Sequence, residues 1–226
     1  MVERATGLSL GSFMDQHIWQ PLGMNLTSFR LQDRPDIRAR LAELSIRNTD
    51  GDLLPHPASF FPENTPIDHG GGGVYTCTQD FIKLLTACVT SDPKLLSTAS
   101  YDLLFEPSLP EASADKFQEI RAAMYATADA AAEAEGSRMA IPAPVRMSWG
   151  LGGMLSMDDV PGGRRAGSIS WGGLPNLSWV VDRSSGVALL YASQLLPPGD
   201  ALTGRIVRQL EAEVYNGRFF KYAETA

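Results

Sequence analysis

The stretch Ser170-Trp171-Gly172-Gly173-Leu174-Pro175-Asn176, continued by Leu177-Ser178-Trp179-Val180-Val181-Asp182, constrains the fold more than any other. It reads as a strand that ends in glycines, turns, and returns as a second strand. A third apolar run, Gly186 to Ser193, follows after Arg183-Ser184-Ser185-Gly186, a connection of hairpin length. Strands joined this closely pair antiparallel, because a parallel return needs a long crossover. Two adjacent glycines at a strand end also let a ligand approach backbone that a Cβ would cover. That suits a polarised carbonyl meeting a backbone N–H.

The sheet pattern begins at about Ile141. Met147 to Met157 and Arg165 to Trp171 are further predicted strands, and Asp200 to Tyr215 closes the chain as a helix with Leu202, Ile206, Leu210 and Val214 on one stripe. Before Ile141 the signals are helical. Leu8 to Trp19 carries Leu10, Met14, Phe13, His17 and Ile18 at helical spacing and stops at Pro21-Leu22-Gly23. A short helix is predicted around Ile37–Leu44, a turn at Asn48–Asp52, and a surface loop from Leu53 to Asp68, which holds four prolines. Gly70 to Gly73 demand an unusual backbone path or a close contact. Val74 to Val89 follows as a helix capped by Thr76 or Thr78, with Asp80 in its first turn. Asp102 to Leu109 is a predicted short helix, and Phe117 to Glu135 an Ala-rich helix or surface insertion. Helices followed by consecutive strands give an α+β fold. Residues 1–140 form a mainly helical region with long loops, and residues 141–226 a reduced antiparallel sheet with a C-terminal helix, within one fold unit.

With 226 residues, the chain buries roughly 70% of its unfolded surface. A net charge of -7 and the lack of any Lys/Arg cluster beyond the pair Arg164-Arg165 argue against a nucleic-acid partner. No apolar run approaches the roughly 20 residues that span a bilayer, and the first residues hold no apolar leader. Two cysteines, Cys77 and Cys88, are too few for a disulfide framework, which points to a reduced, cytoplasmic setting. His17, His56 and His69 show no metal-ligand spacing, so neither a metal nor a cofactor is expected.

Four segments together resemble the serine β-lactamase-like superfamily, in its class C-like esterase and fungal transesterase branch. They are Thr6-Gly7-Leu8-Ser9-Leu10 through Pro21-Leu22-Gly23-Met24 with Thr27; Gly71-Gly72-Gly73-Val74-Tyr75-Thr76-Cys77-Thr78-Gln79-Asp80; Trp149-Gly150-Leu151-Gly152; and Ser170-Trp171-Gly172-Gly173 with Asn176, Trp179 and Asp182. Their order and spacing match over nearly the whole chain. The resemblance implies a β-lactamase/transpeptidase-like fold and acyl transfer through a serine, activated by a lysine in Ser-x-x-Lys on one helix face and assisted by a tyrosine. It also implies that Trp171, Gly172 and Gly173 line the pocket, with the backbone N–H of Leu174 as one oxyanion donor. The likeness extends only to the later part of a full member. The Ser-x-x-Lys and tyrosine motifs belong ahead of it, so no catalytic residue is assigned.

Two stretches imitate a nucleophile. Ser91-Asp92-Pro93-Lys94 spells Ser-x-x-Lys, but reads as a helix N-cap with proline in the first turn. Gly7-Leu8-Ser9-Leu10-Gly11 spells Gly-x-Ser-x-Gly, but only six residues precede it where a strand is needed. His69 reads as a solvated loop residue, Tyr75 and Tyr101 as surface tyrosines, and both cysteines as small buried hydrophobes. The expected function is that of a β-lactamase-like esterase or acyltransferase without acyl-transfer competence of its own. The alternatives are a non-catalytic small-ligand-binding or scaffold protein and a repurposed biosynthetic enzyme catalysing a cyclisation or isomerisation. The expected ligand is a small acyl or ester compound. The uncharged strand Val187–Ala192 is expected to end the sheet, inviting a homodimer or a complementing chain.

Overall fold

The computed structural model of the chain describes residues 1–56, 65–124, 141 and 144–217. The first helical stretch comprises α1 (Val2–Thr6), α2 (Leu10–Met14), a π-helical turn (Asp15–Trp19) and α3 (Gln20–Leu22). The predicted helix over Leu8–Trp19 thus starts at its cap, where Ser9 Oγ accepts from the Ser12 N–H at 3.1 Å. It runs on past Pro21 to Gly23, whose φ of 65° closes it. Leu10, Met14, Ile18 and Leu22 recur every four residues and pack around buried Trp19, Met24 and Phe29.

The next segment departs from the sequence expectation. The helix near Ile37 is shorter, α4 (Pro35–Arg38), and is followed by β1 (Leu44–Arg47). Asn48 Oδ1 accepts from the Asp50 and Asp52 N–H groups at 3.0 and 2.8 Å, forming the predicted turn. That turn leads into β2 (Leu53–His56), antiparallel to β1, where a loop was expected. Pro55 is tolerated because β2 lies at the edge of a three-stranded sheet, whose third member is β8 (Leu195–Leu196), parallel to β1. The region up to residue 140 is therefore not simply helices and loops. The rest of the predicted loop as far as residue 64 lies outside the described residues.

Helix α5 (Thr78–Thr90) is preceded by Cys77, which makes no side-chain cap bond, so neither Thr76 nor Thr78 caps it. Thr76 Oγ1 instead shares a hydrogen bond of 2.8 Å with Thr27 Oγ1. Asp80 ties this region together: its buried carboxylate accepts from the Leu26 N–H at 2.7 Å, Thr27 Oγ1 at 3.1 Å and Lys83 Nζ at 2.9 Å. Helix α6 (Thr98–Leu104) starts earlier than predicted, because Ser97 Oγ caps it by accepting from the Ser100 N–H. Helix α7 (Glu111–Met124) contains Phe117, while the Ala-rich residues after 124 fall outside the described part.

The main sheet runs β3 (Met147–Trp149), β4 (Met154–Ser156), β5 (Ile169–Gly173), β6 (Leu177–Asp182) and β7 (Val187–Tyr191), each antiparallel to the next. The single strand predicted over Met147–Met157 is a hairpin, broken at Gly150–Gly153. On one sheet face Leu155, Ile169 and Val181 pack against Leu85 of α5. On the other, Val207, Leu210 and Glu211 of α8 (Ala201–Tyr215) close over Ser178 and Val180. Strand β7 ends the sheet among the described residues. No helix among them is long and apolar enough to cross a membrane. They also hold no group of three His, Cys, Asp or Glu residues able to bind a metal.

Candidate functional site

The β5–β6 register sets Trp171 opposite Trp179, Gly172 opposite Ser178 and Gly173 opposite Leu177. A Cβ at Gly173 would stand 2.7 Å from Leu177 Cδ1, so the hairpin itself fills the space that this glycine leaves. Trp171 and Leu174 are 39% and 38% exposed on either side of the glycine pair. Behind them Asn176 adopts a φ of 61°, a conformation that asparagine tolerates better than most residues. Its side chain is fully buried. Nδ2 donates to the Leu195 and Pro197 carbonyls at 2.8 and 2.9 Å, and Oδ1 accepts from the Gly199 and Asp200 N–H groups at 2.8 and 3.2 Å.

Asp200 carries the connection further. Its carboxylate caps α8 by accepting from the Thr203 N–H at 2.8 Å and pairs with Arg47 Nε on β1 at 2.5 Å. Burial pushes the Asp200 carboxyl up, but the Arg47 and Thr203 hydrogen bonds outweigh it and hold it below its usual value. Ser193 Oγ donates to the Pro175 carbonyl at 2.7 Å. The hairpin tip is thereby locked to the start of α8 and to the smaller sheet. Asparagine in a turn was legible in the sequence, but its partners 19 to 24 residues later were not.

Beside the hairpin lies a cleft of about 210 Å³, lined by Trp149, Trp171, Trp179 and Gly150–Gly153 with Leu151. The Trp149 and Trp171 rings stand 4.8 Å apart at 58°, and Phe117 backs Trp149 at 6.4 Å. The glycine turn is held by Gly150 N–H donating to Gly153 O at 2.9 Å and Gly152 N–H to Leu104 O at 3.0 Å. A Cβ on Gly150 would sit 2.5 Å from Leu104 O, so the turn presses against the end of α6. The sequence reading selected Trp171, Gly172, Gly173 and Leu174; the structure adds Trp149, Leu151 and Trp179 beside them.

Residues 1–213 match the beta-lactamase family. The chain belongs to that family. It is 33% identical over 218 residues to ML-236A carboxylate methylbutanoyltransferase of Penicillium citrinum, covering 96% of this chain and 50% of that one. With monacolin J acid methylbutanoyltransferase of Aspergillus terreus it shares 34% over 219 residues, 95% of this chain and 51% of the relative. The unliganded structure of simvastatin synthase from Aspergillus terreus superposes with a TM-score of 0.85 at 32% identity, over 95% of this chain and 52% of that one. The chain spans about half the length of the curated relatives it matches.

Within this beta-lactamase family member, neither imitation of a nucleophile lies in the cleft. Ser91 does not open a helix; it ends α5 in a left-handed conformation with φ 54°, its N–H donating to the Ala87 carbonyl. Its Oγ accepts from Arg183 Nη2 at 3.0 Å. Arg183 lies four residues beyond Trp179, on the order of 13 Å along an extended chain. Ser9 follows a helix, not a strand, and caps α2. His69 sits exposed in a turn. Tyr101, expected at the surface, is fully buried, donates to the Asp92 carbonyl at 3.0 Å, and has its pKa pushed up to about 12, chiefly by burial. Cys77 and Cys88 are free thiols, and burial pushes Cys88 up, away from the reactive thiolate.

Proposed function

We propose that this chain supplies the later half of an esterase or acyltransferase site of the beta-lactamase family, with the attacking serine contributed from outside these residues. The observation that carries the reading is the rigidly held hairpin tip. Trp171, Gly172 and Gly173 form the pocket wall, and the backbone at Leu174 is the oxyanion donor that the resemblance implies. One such donor is typically worth about 3 kcal/mol in the transition state. The relatives named for methylbutanoyl transfer support acyl groups as the substrate class. The lysines among the described residues support an external nucleophile: Lys83 binds Asp80 and the Gly23 carbonyl, Lys116 binds Glu119, and Lys94 is exposed. The same external segment covers the open side of β7.

A fluorophosphonate probe, applied to the purified chain and mapped by mass spectrometry, is expected to leave no adduct. An adduct on any side chain, Ser9 and Ser91 included, overturns the reading. Fusing the chain behind the preceding half of the Aspergillus terreus methylbutanoyltransferase is expected to restore hydrolysis of a short-chain p-nitrophenyl ester, and Trp171→Ala to abolish it. The tryptophan cleft favours a second reading, a small-ligand binder without chemistry. In that case the fusion stays silent while ligand still raises the melting temperature.

A further inference from the structure

We propose that the cleft between Trp149, Trp171 and Trp179 is a subsite for an uncharged, apolar group, a hydrocarbon chain or bare ring, with Leu151 at its mouth excluding charge. The proposal rests on the acyl-transfer reading only for where the rest of the ligand lies, along Gly172–Leu174.

The first support is the lining. Its side chains are three indoles and one leucine, with glycines between them and neither acid nor base among them. A charged group entering it would shed water and gain no partner, whereas an apolar group loses nothing by desolvation. The second support is that the cleft is preformed. Gly150 and Gly152 already crowd Leu104 O, and a Cβ on Gly153 would meet Trp179 Cη2 at 3.1 Å, so the turn has no room to sink inward. Third, the aromatic geometry argues against a cation. At 4.8 Å and 58° Trp149 and Trp171 pack on each other, leaving no gap between their faces for an ammonium group, and no carboxylate is among the residues that line the cleft. Finally, Leu151 is 69% exposed, apolar surface that a hydrocarbon ligand would cover.

Titrating the chain with methyl hexanoate, monomethyl adipate and tetramethylammonium, and following tryptophan fluorescence, tests this. Methyl hexanoate is expected to give a saturable change. Monomethyl adipate, which places a carboxylate at the far end of a similar chain, is expected to bind at least tenfold more weakly, and tetramethylammonium not at all. Leu151→Asp sits at an exposed position, so its unfolding midpoint should match the parent while methyl hexanoate affinity drops at least fivefold. The inference is overturned if methyl hexanoate shows no saturation up to its solubility limit, if either charged probe binds as tightly, or if Leu151→Asp leaves affinity unchanged. Binding needs no nucleophile, so a covalent adduct in the fluorophosphonate experiment would sink the proposed function and leave this subsite standing.

Discussion

Asn176 offers the sharpest test of how the hairpin tip is held. Replacing it with alanine removes the hydrogen bonds to Leu195 O, Pro197 O, Gly199 N and Asp200 N. At a net value of about 1 kcal/mol each, with the 3.2 Å bond to Asp200 counted at about half, the loss is about 3.5 kcal/mol. Alanine must also adopt a φ of 61°, which costs about 1 kcal/mol more. Asn176→Ala is therefore expected to lose about 4.5 kcal/mol and Asn176→Gly, which takes that φ freely, about 3.5 kcal/mol. Against a typical domain stability of about 5–15 kcal/mol, either change removes a large share. Urea unfolding followed by circular dichroism, with ΔΔG taken from midpoint and slope, measures both. Losses under about 1.5 kcal/mol in both variants would refute the view that this side chain holds the tip. Equal losses would refute the backbone contribution.

Three further outcomes follow from the same packing. Arg164 Nη2 pairs with Glu211 Oε2 at 2.6 Å; burial pushes this carboxyl up, but the guanidinium fork prevails and holds it below its ordinary 4.5. Because the folded pKa is depressed, the stability it contributes is complete above about 4.5 and fades as pH falls through the folded value. Glu211→Gln should flatten that acid limb and, by stranding buried Arg164, cost about 3 kcal/mol at neutral pH; an unchanged acid limb contradicts the assignment. Gly150→Ala should cost about 2 kcal/mol through its contact with backbone at Leu104, while Gly71→Ala, with open space around it, should be silent in the same melting assay. Concentration-dependent association in analytical ultracentrifugation, weakened by Val187→Lys, is expected from the uncharged edge of β7; a monomer at every concentration contradicts an open edge.

The strands from Ile169 to Tyr191 were legible because turn residues separate their short apolar runs. The stripe read on α8 was not: Leu202 and Ile206 are 44% and 52% exposed, while Thr203, Val207 and Glu211 form the buried face. Signals that serve two purposes misled. Prolines at 55 and 57 say loop, yet an edge strand needs no N–H from Pro55. Gly150, Gly152 and Gly153 fit a permissive strand as well as the turn they make. Serine before Asp-Pro suits either end of a helix, and only Ala87, four residues behind, decides that Ser91 ends one. The wall residues Trp171 to Leu174 could be chosen from local pattern. Trp149 and Leu151 could not be placed beside them without the strand order, since pairing is set between strands and is written in no single window.

Arg47 finds Asp200 across 153 residues of chain, and β1 finds β8 over a similar span. On a ribosome adding roughly 5–20 residues per second, the first hairpin must wait about 8–30 s for the strand that completes it. Through that interval one side of β1 has no native neighbour yet made. The earliest sheet in the sequence is the last to be finished, and synthesis, more than the mature state, is when this chain is most exposed to mispairing.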